Sequence, residues 1–184
     1  YLYCMYYRTI VNLVVSHLSQ FLFVAMLSVM IYVHLASSCD CPKELTKFPY
    51  HSIPLTRTIS PLADIKAIFR LRTILKQNKI EIIHSHTPKA GLISMISSYW
   101  VKTPVRLHTV AGLPQDHAHL IQTVILNLTE LITYLLAHKV YFNSIEQMNR
   151  QKLKFKTLAN KFSIIHNGTS NGIDLSKFKA DKTK

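Results

Sequence analysis

The sequence predicts an α/β protein organised on a parallel sheet, and three observations predict it. Short runs rich in β-branched and aromatic residues, at 80–86, 105–110, 139–142 and 161–166, alternate with longer segments whose apolar residues recur every three or four positions. That rhythm builds a parallel sheet, because each return to a parallel neighbour needs a crossover long enough to hold a helix. The four glycines, Gly91, Gly112, Gly168 and Gly172, all fall just beyond a strand-like run or at a turn. Sparse glycine therefore sits where the backbone bends or approaches a ligand, at the carboxyl edge of the sheet. Finally, 184 residues with 48% apolar content suffice for one core.

The elements follow in order. Residues 9–39 carry no charge, and 21–33 are the most apolar stretch. Their length permits a membrane span. Asn12, Ser16, His17, Ser19, Gln20 and His34 dilute them, and the preferred reading is a helix covering the sheet, then a buried strand at 31–35. Residues 48–55 read as an edge strand, since Pro49 and Pro54 cannot donate to a ladder. Ser60-Pro61 opens a helix through Lys76, with Ser60 at the cap, Pro61 at N1 and Asp64 in the first turn. The strand at 80–86 ends at Thr87-Pro88, which starts a helix to Trp100. After the strand at 105–110, a helix spans about 117–137. The strand at 139–142 ends at Asn143-Ser144, with Ser144 capping a helix at 145–158. The strand at 161–166 closes at Asn167-Gly168. Right-handed crossovers then favour a Rossmann-like doubly wound parallel sheet with helices on both faces.

Charge narrows the partners. Lys and Arg number 22 against 9 Asp and Glu, a net charge of +13, and residues 1–40 hold only Arg8 and Asp40. Such an excess favours anionic partners. No nucleic-acid motif accompanies it, and no phosphate-binding glycine loop supports nucleotide hydrolysis or dinucleotide redox chemistry. Nucleic acid is therefore not expected as a partner. Cys4, Cys39 and Cys41 form neither a disulfide framework nor a zinc site, which suits a reducing compartment.

The candidate site lies at the strand ends. His84 and His86, two apart, leave one face of an extended backbone. They lack further ligands at metal-binding spacing, so no metal is expected. His84 reads as a satisfied core group. His86, at the strand edge, suits hydrogen bonding or acid–base work near neutrality. Thr87 and Gly91 flank it, and Lys89, near a helix N-terminus, suits a phosphate oxygen. His108, Thr109 and Gly112 repeat the pattern one strand later, and Asn143-Ser144 one strand after that; these three strand tips are expected on one cleft rim.

Four segments carry a resemblance. Ile83-His84-Ser85-His86-Thr87-Pro88-Lys89-Ala90-Gly91, Arg106-Leu107-His108-Thr109-Val110-Ala111-Gly112-Leu113-Pro114, Val140-Tyr141-Phe142-Asn143-Ser144, and the run from His166 to Phe178 come in one order behind Ile59-Ser60-Pro61-Leu62. Together they resemble family 4 glycosyltransferases, particularly bacterial enzymes of capsule, exopolysaccharide and O-antigen assembly. The resemblance runs from about Tyr50 to Phe178.

That resemblance implies the amino-terminal, acceptor-side half of a GT-B architecture. Its substrates would be a nucleotide sugar and a lipid-linked or saccharide acceptor, with no cofactor or metal. His86 maps onto the histidine facing the reacting sugar. His108, Thr109 and Gly112 map onto a cleft-lining loop. Gly168, Asn171, Gly172 and Asp174 map onto the entry to a donor domain. The chain divides accordingly into an apolar segment at 1–36, an acceptor-side domain at 37–166, and a linker at 167–184 toward a carboxyl-terminal half that the chain is expected to lack. Alone it is expected to be inactive. The basic surface and apolar start place it in the cytoplasm, at an anionic inner membrane face. The alternative is a membrane-attached binding domain without catalysis.

Overall fold

The computed structural model describes residues 4–8, 32–37, 49–55, 60–110 and 120–164. They form one seven-stranded sheet: β1 (Cys4–Arg8), β2 (Tyr32–Ser37), β3 (Tyr50–Ser52), β4 (Ile82–Ser85), β5 (Val105–Val110), β6 (Lys139–Phe142) and β7 (Phe162–Ile164). Its order is β3-β2-β1-β4-β5-β6-β7, which puts β3 on the edge as its flanking prolines require. Four helices join them: α1 (Pro61–Gln77), α2 (Pro88–Trp100), α3 (Leu120–Leu136) and α4 (Ile145–Lys154).

The sheet departs from the all-parallel expectation at β1, which the sequence did not announce. β1 runs antiparallel to both β2 and β4, while β2–β3, β4–β5, β5–β6 and β6–β7 are parallel. An antiparallel ladder satisfies both edges of an inserted strand as well as a parallel one does, so one reversed strand leaves no orphan backbone groups. The helix expected over 145–158 stops at Lys154. Phe155 (φ −118°, ψ 59°) breaks it, and a 3-10 helix, Lys156–Lys161, completes the approach to β7. The described helices line one face in a row. Their buried residues, Ala67 and Leu71 of α1, Ile93 and Met95 of α2 and Tyr134 of α3, share one core with Ile83, Val140 and Phe142 of the sheet. Of the doubly wound arrangement, the described residues thus carry one helical layer. The apolar stretch at 21–31, Cys39 and Cys41, the end of the last expected strand and the linker at 167–184 lie outside the described residues.

Helix α2 sits between α1 and α3 and is built for it. Ala90, Gly91, Ser94, Ser97 and Ser98 are buried, so neighbouring backbones come close. Ser97 Oγ donates to Ile93 O at 2.7 Å and to Ile68 O of α1 at 3.1 Å, while Ser98 Oγ donates to Ser94 O at 2.6 Å. At the far end of α3, Lys161 Nζ donates to the carbonyls of Tyr134, Leu135 and Ala137, and Arg106 Nε to that of Leu136. These cations satisfy carbonyls that the helix itself leaves open.

Both α1 and α2 end in Schellman turns that send the chain into the next strand. Ile80 N–H reaches Leu75 O and Lys79 N–H reaches Lys76 O; Thr103 N–H reaches Ser98 O and Lys102 N–H reaches Tyr99 O. The left-handed position of each turn holds lysine, with φ 49° at Lys79 and 58° at Lys102. A Cβ there costs about 1 kcal/mol or more. Lys79→Gly and Lys102→Gly should therefore each raise stability by up to about 1 kcal/mol, read as a higher urea midpoint at unchanged m-value.

Candidate functional site

The strand alternation divides the site residues between the two faces of the sheet. His84, His86, Thr109 and Tyr141 lie on one face. Ser85 and His108 lie on the other, toward the helices. His108 and His86 therefore do not share one lip as the sequence suggested. Consecutive residues of a strand project to opposite sides, and His108, paired with Ser85, is one residue out of phase with His86.

On the open-rim face, His84 is buried and its Nε2 shares a 2.8 Å hydrogen bond with Thr109 Oγ1. Its ring lies 4.2 Å from that of His86, tilted by 40°, and 6.3 Å edge-on from Tyr141. His84 is thus a strut: it ties β4 to β5 and backs the His86 ring. Burial, then the neighbouring His86 and His108, push the His84 pKa down to about 3. Burial also lowers that of His86. Both rings are neutral at pH 7, so each nitrogen is either a single donor or a single acceptor. Among the described residues no group of three His, Cys, Asp or Glu side chains is placed to hold a metal ion.

His86 runs directly into the N-terminus of α2. Pro88 occupies N1, and Gly91 N–H closes the first turn on Thr87 O at 2.6 Å. Thr87 sits at the cap position but its side chain does not cap; its Oγ1 is buried without a hydrogen-bond partner among the described residues. Lys89 points along the helix layer, with Nζ 2.7 Å from Asp64 Oδ1 in the first turn of α1. It is an ion pair, without a well-aligned hydrogen bond at that oxygen, and it fastens the two helix starts to each other. Asn143 follows β6, and Ser144 caps α4, its Oγ accepting from Gln147 N–H at 3.1 Å. Gly112, Gly168, Asn171, Gly172 and Asp174 lie outside the described residues.

Behind the sheet, His108 is almost wholly enclosed. Its Nδ1 lies 2.9 Å from Ser85 Oγ, within hydrogen-bonding distance, and burial, with His86 nearby, takes its pKa down to about 3. Together with Pro88, Thr133 and Tyr134 it lines a cavity of about 10 Å³, room for about one water molecule. The Tyr134 hydroxyl is buried there without a partner among the described residues; burial and the Glu130 carboxylate raise its pKa. Glu130 in turn holds Lys154 Nζ at 2.9 Å.

Gly91 sets how close α2 lies to β5. A Cβ at this position would stand 2.6 Å from His108 Cε1, 2.9 Å from its Nδ1 and 3.1 Å from Thr133 Cγ2. The sequence marked Gly91 as a close approach but named no partner; the partner is the His108 ring. Sequence reasoning misses Tyr141, edge-on to His84, and Ser85, the partner of His108. The signal for Ser85 was its place between two histidines.

Comparison with known proteins places these residues in a family. Residues 13–175 match the model of Glycosyltransferase Family 4. The chain is 32% identical over 157 residues to the capsular polysaccharide biosynthesis glycosyltransferase CapM of Staphylococcus aureus, covering 83% of this chain and 40% of that one. Over 58 residues, 32% of this chain and 15% of the other, it is 36% identical to the Escherichia coli UDP-Gal:alpha-D-GlcNAc-diphosphoundecaprenol alpha-1,3-galactosyltransferase. The chain thus spans less than half the length of either relative. A crystal structure of UDP-N-acetylglucosamine 2-epimerase shares the fold at TM-score 0.54 and 15% identity, covering 72% of this chain and 37% of that one.

Two measurements check the packing of the site. Gly91→Ala forces the His108 ring and Thr133 to move and should cost about 1–3 kcal/mol in chemical denaturation. Stability should also fall with acid. His84 and His108 titrate near 3 in the fold and near 6.5 unfolded, so between those values the unfolded chain binds more protons. Their contribution is complete above pH 6.5 and lost as pH falls toward 3; for His84 alone the loss at pH 4.5 is roughly 2–3 kcal/mol. Urea midpoints from pH 7.5 to 4.5 read it directly, and His84→Asn should flatten the slope. With most of its residues, 13–175, matched by the family model, the chain belongs to glycosyltransferase family 4.

Proposed function

We propose that this chain is the acceptor-side part of a glycosyltransferase that moves a sugar from a nucleotide donor to a lipid-linked saccharide in cell-surface polysaccharide synthesis. One observation carries the reading: a neutral histidine, His86, stands at a strand end, backed by a second ring and adjoining a helix N-terminus. That is the rim where open α/β sheets receive ligands. The two relatives that transfer sugars support the substrate class, the Escherichia coli protein through the diphosphoundecaprenol acceptor in its name.

In the proposed reaction an acceptor hydroxyl oxygen bonds to the anomeric carbon of the donor sugar. The bond from that carbon to the nucleoside diphosphate breaks, and the acceptor proton leaves with the diphosphate. His86, neutral, hydrogen-bonds a hydroxyl of the reacting sugar without adding charge. The first amides of α2 bind acceptor oxygens, and the helix end favours the negative charge of a diphosphate. Lys89, held by Asp64, orients that helix end. Gly168, Asn171, Gly172 and Asp174, outside the described residues, are assigned by the resemblance to the entry of a nucleotide-binding half. We place the protein at the cytoplasmic face of a membrane, since the acceptor is lipid-linked.

The test supplies a family donor domain in trans or fused, a nucleotide sugar and a diphosphoundecaprenol-linked saccharide, and counts transferred label. His86→Ala should lower kcat/KM by about 10²-fold. Because His86 titrates below the ordinary histidine range, activity should show no histidine limb between pH 6.5 and 8. Undiminished transfer by His86→Ala would sink the role.

A further inference from the structure

We infer that the small cavity between β5, the start of α2 and the middle of α3 is a binding site for one water molecule, and that this water decides which nitrogen of His108 carries the ring proton. The cavity measures about 10 Å³, and His108, Glu130 and Tyr134 are among the residues that line it. A single water fits that volume, and three polar neighbours are the usual number for a buried one.

Each of these neighbours brings a group with bonding capacity to spare. Tyr134 is 1% exposed, its ring packed edge-on against Phe155 and Phe162, and its hydroxyl is buried without a partner among the described residues. His108 is 3% exposed and uses Nδ1 on Ser85 Oγ, which leaves Nε2 as its other polar atom. The two ring centres stand 6.3 Å apart, and the Tyr134 hydroxyl makes no direct hydrogen bond to His108. Glu130 is also buried, and its Oε2 accepts from Lys154 Nζ at 2.9 Å. A buried hydroxyl left unpaired is costly, and a water in this cavity removes that cost.

Charge excludes an ion. Lys154 already matches the Glu130 carboxylate, and His108 is neutral at pH 7. The walls therefore carry no net charge to offset the lost hydration of a cation or an anion. The occupant must instead both donate and accept.

Hydrogen accounting then fixes the tautomer. A carboxylate only accepts, so one water hydrogen goes to Glu130. Tyr134 donates its hydroxyl hydrogen to the water oxygen, and the second water hydrogen goes to His108 Nε2. A neutral ring with an accepting Nε2 carries its hydrogen on Nδ1, which donates to Ser85 Oγ. The Ser85 main chain also hydrogen-bonds this ring in the sense that favours a proton on it. Gly91 packs against the Cε1–Nδ1 edge, so the hydrogen-bearing edge is the one facing α2. The water thus holds the His108 ring in the orientation against which the helix start is seated.

Magnetic resonance of the unaltered, nitrogen-15-labelled chain at pH 7 tests both statements without any sugar donor or acceptor, so the result is separate from the proposed function. Cross-relaxation should connect a long-lived water with the His108 ring protons. Long-range proton–nitrogen correlations should show a neutral His108 with its hydrogen on Nδ1. Stability then separates a wet cavity from a dry one by sign. A hydroxyl that holds a water contributes to the fold, so Tyr134→Phe should lower the urea midpoint; an unpaired hydroxyl is a burden, and its removal raises the midpoint. Absence of the water signal, a hydrogen on Nε2, or an unchanged or higher midpoint for Tyr134→Phe would each overturn the assignment.

Discussion

The fold depends on one missing atom. At Gly91 the helix after β4 lies so close to β5 that the His108 ring stands where a Cβ would go. That contact fixes the depth at which α2 sits in the helical layer. It also fixes where the helix begins, since Gly91 N–H closes the first turn on Thr87. The start of α2, the turn that carries His86 and the Asp64–Lys89 link to α1 all inherit their positions from it. A ring is a suitable wall for such an approach, because it is flat and is held from behind by Ser85.

Holding three histidines so near each other has an electrostatic cost that the molecule meets by keeping them uncharged. Burial lowers the pKa of each; His86 adds to the lowering at His84 and at His108, and His108 adds to it at His84. The sheet keeps the pairs apart chemically: His84 with Thr109 on one face, His108 with Ser85 on the other. One face supplies the rim, and the other locks the helix that borders it. A backbone with period two performs both tasks with consecutive residues.

Much of this was legible in the sequence, and what was not has identifiable causes. The β-branched runs before His86 and Val110, the prolines at 61 and 88 and the cap at Ser144 each state a local preference strong enough to survive packing, and the helix from Pro88 to Trp100 falls where its apolar and small residues put it. β1 was invisible because direction in a sheet is settled by pairing, which a run such as Cys4–Arg8 does not encode. The early end of α4 came from tertiary demand: Phe155 turns inward, 5.4 Å from Tyr134, and helix continuation would carry it away. The division of His86 from His108 was readable in principle, since it needs only strand parity and register. The register, His108 beside Ser85, is what the sequence withheld.

The cations at the far end of α3 bear on how the formal charge of the chain is to be understood. Lys161 and Arg106 point into main-chain oxygens, and Lys154 and Lys89 into carboxylates. The paired carboxylates are already counted in the net charge, and a carbonyl is a dipole without net charge, so the excess of +13 stands. That charge is unevenly presented: these cations face inward, while Lys66, Arg70, Arg72 and Lys76 of α1 face the solvent. Ionic strength then acts on two populations: salt at physiological levels screens the outward side chains beyond about 8 Å and leaves the inward ones nearly untouched. Added electrolyte therefore loosens this protein's grip on its surroundings well before it loosens the protein.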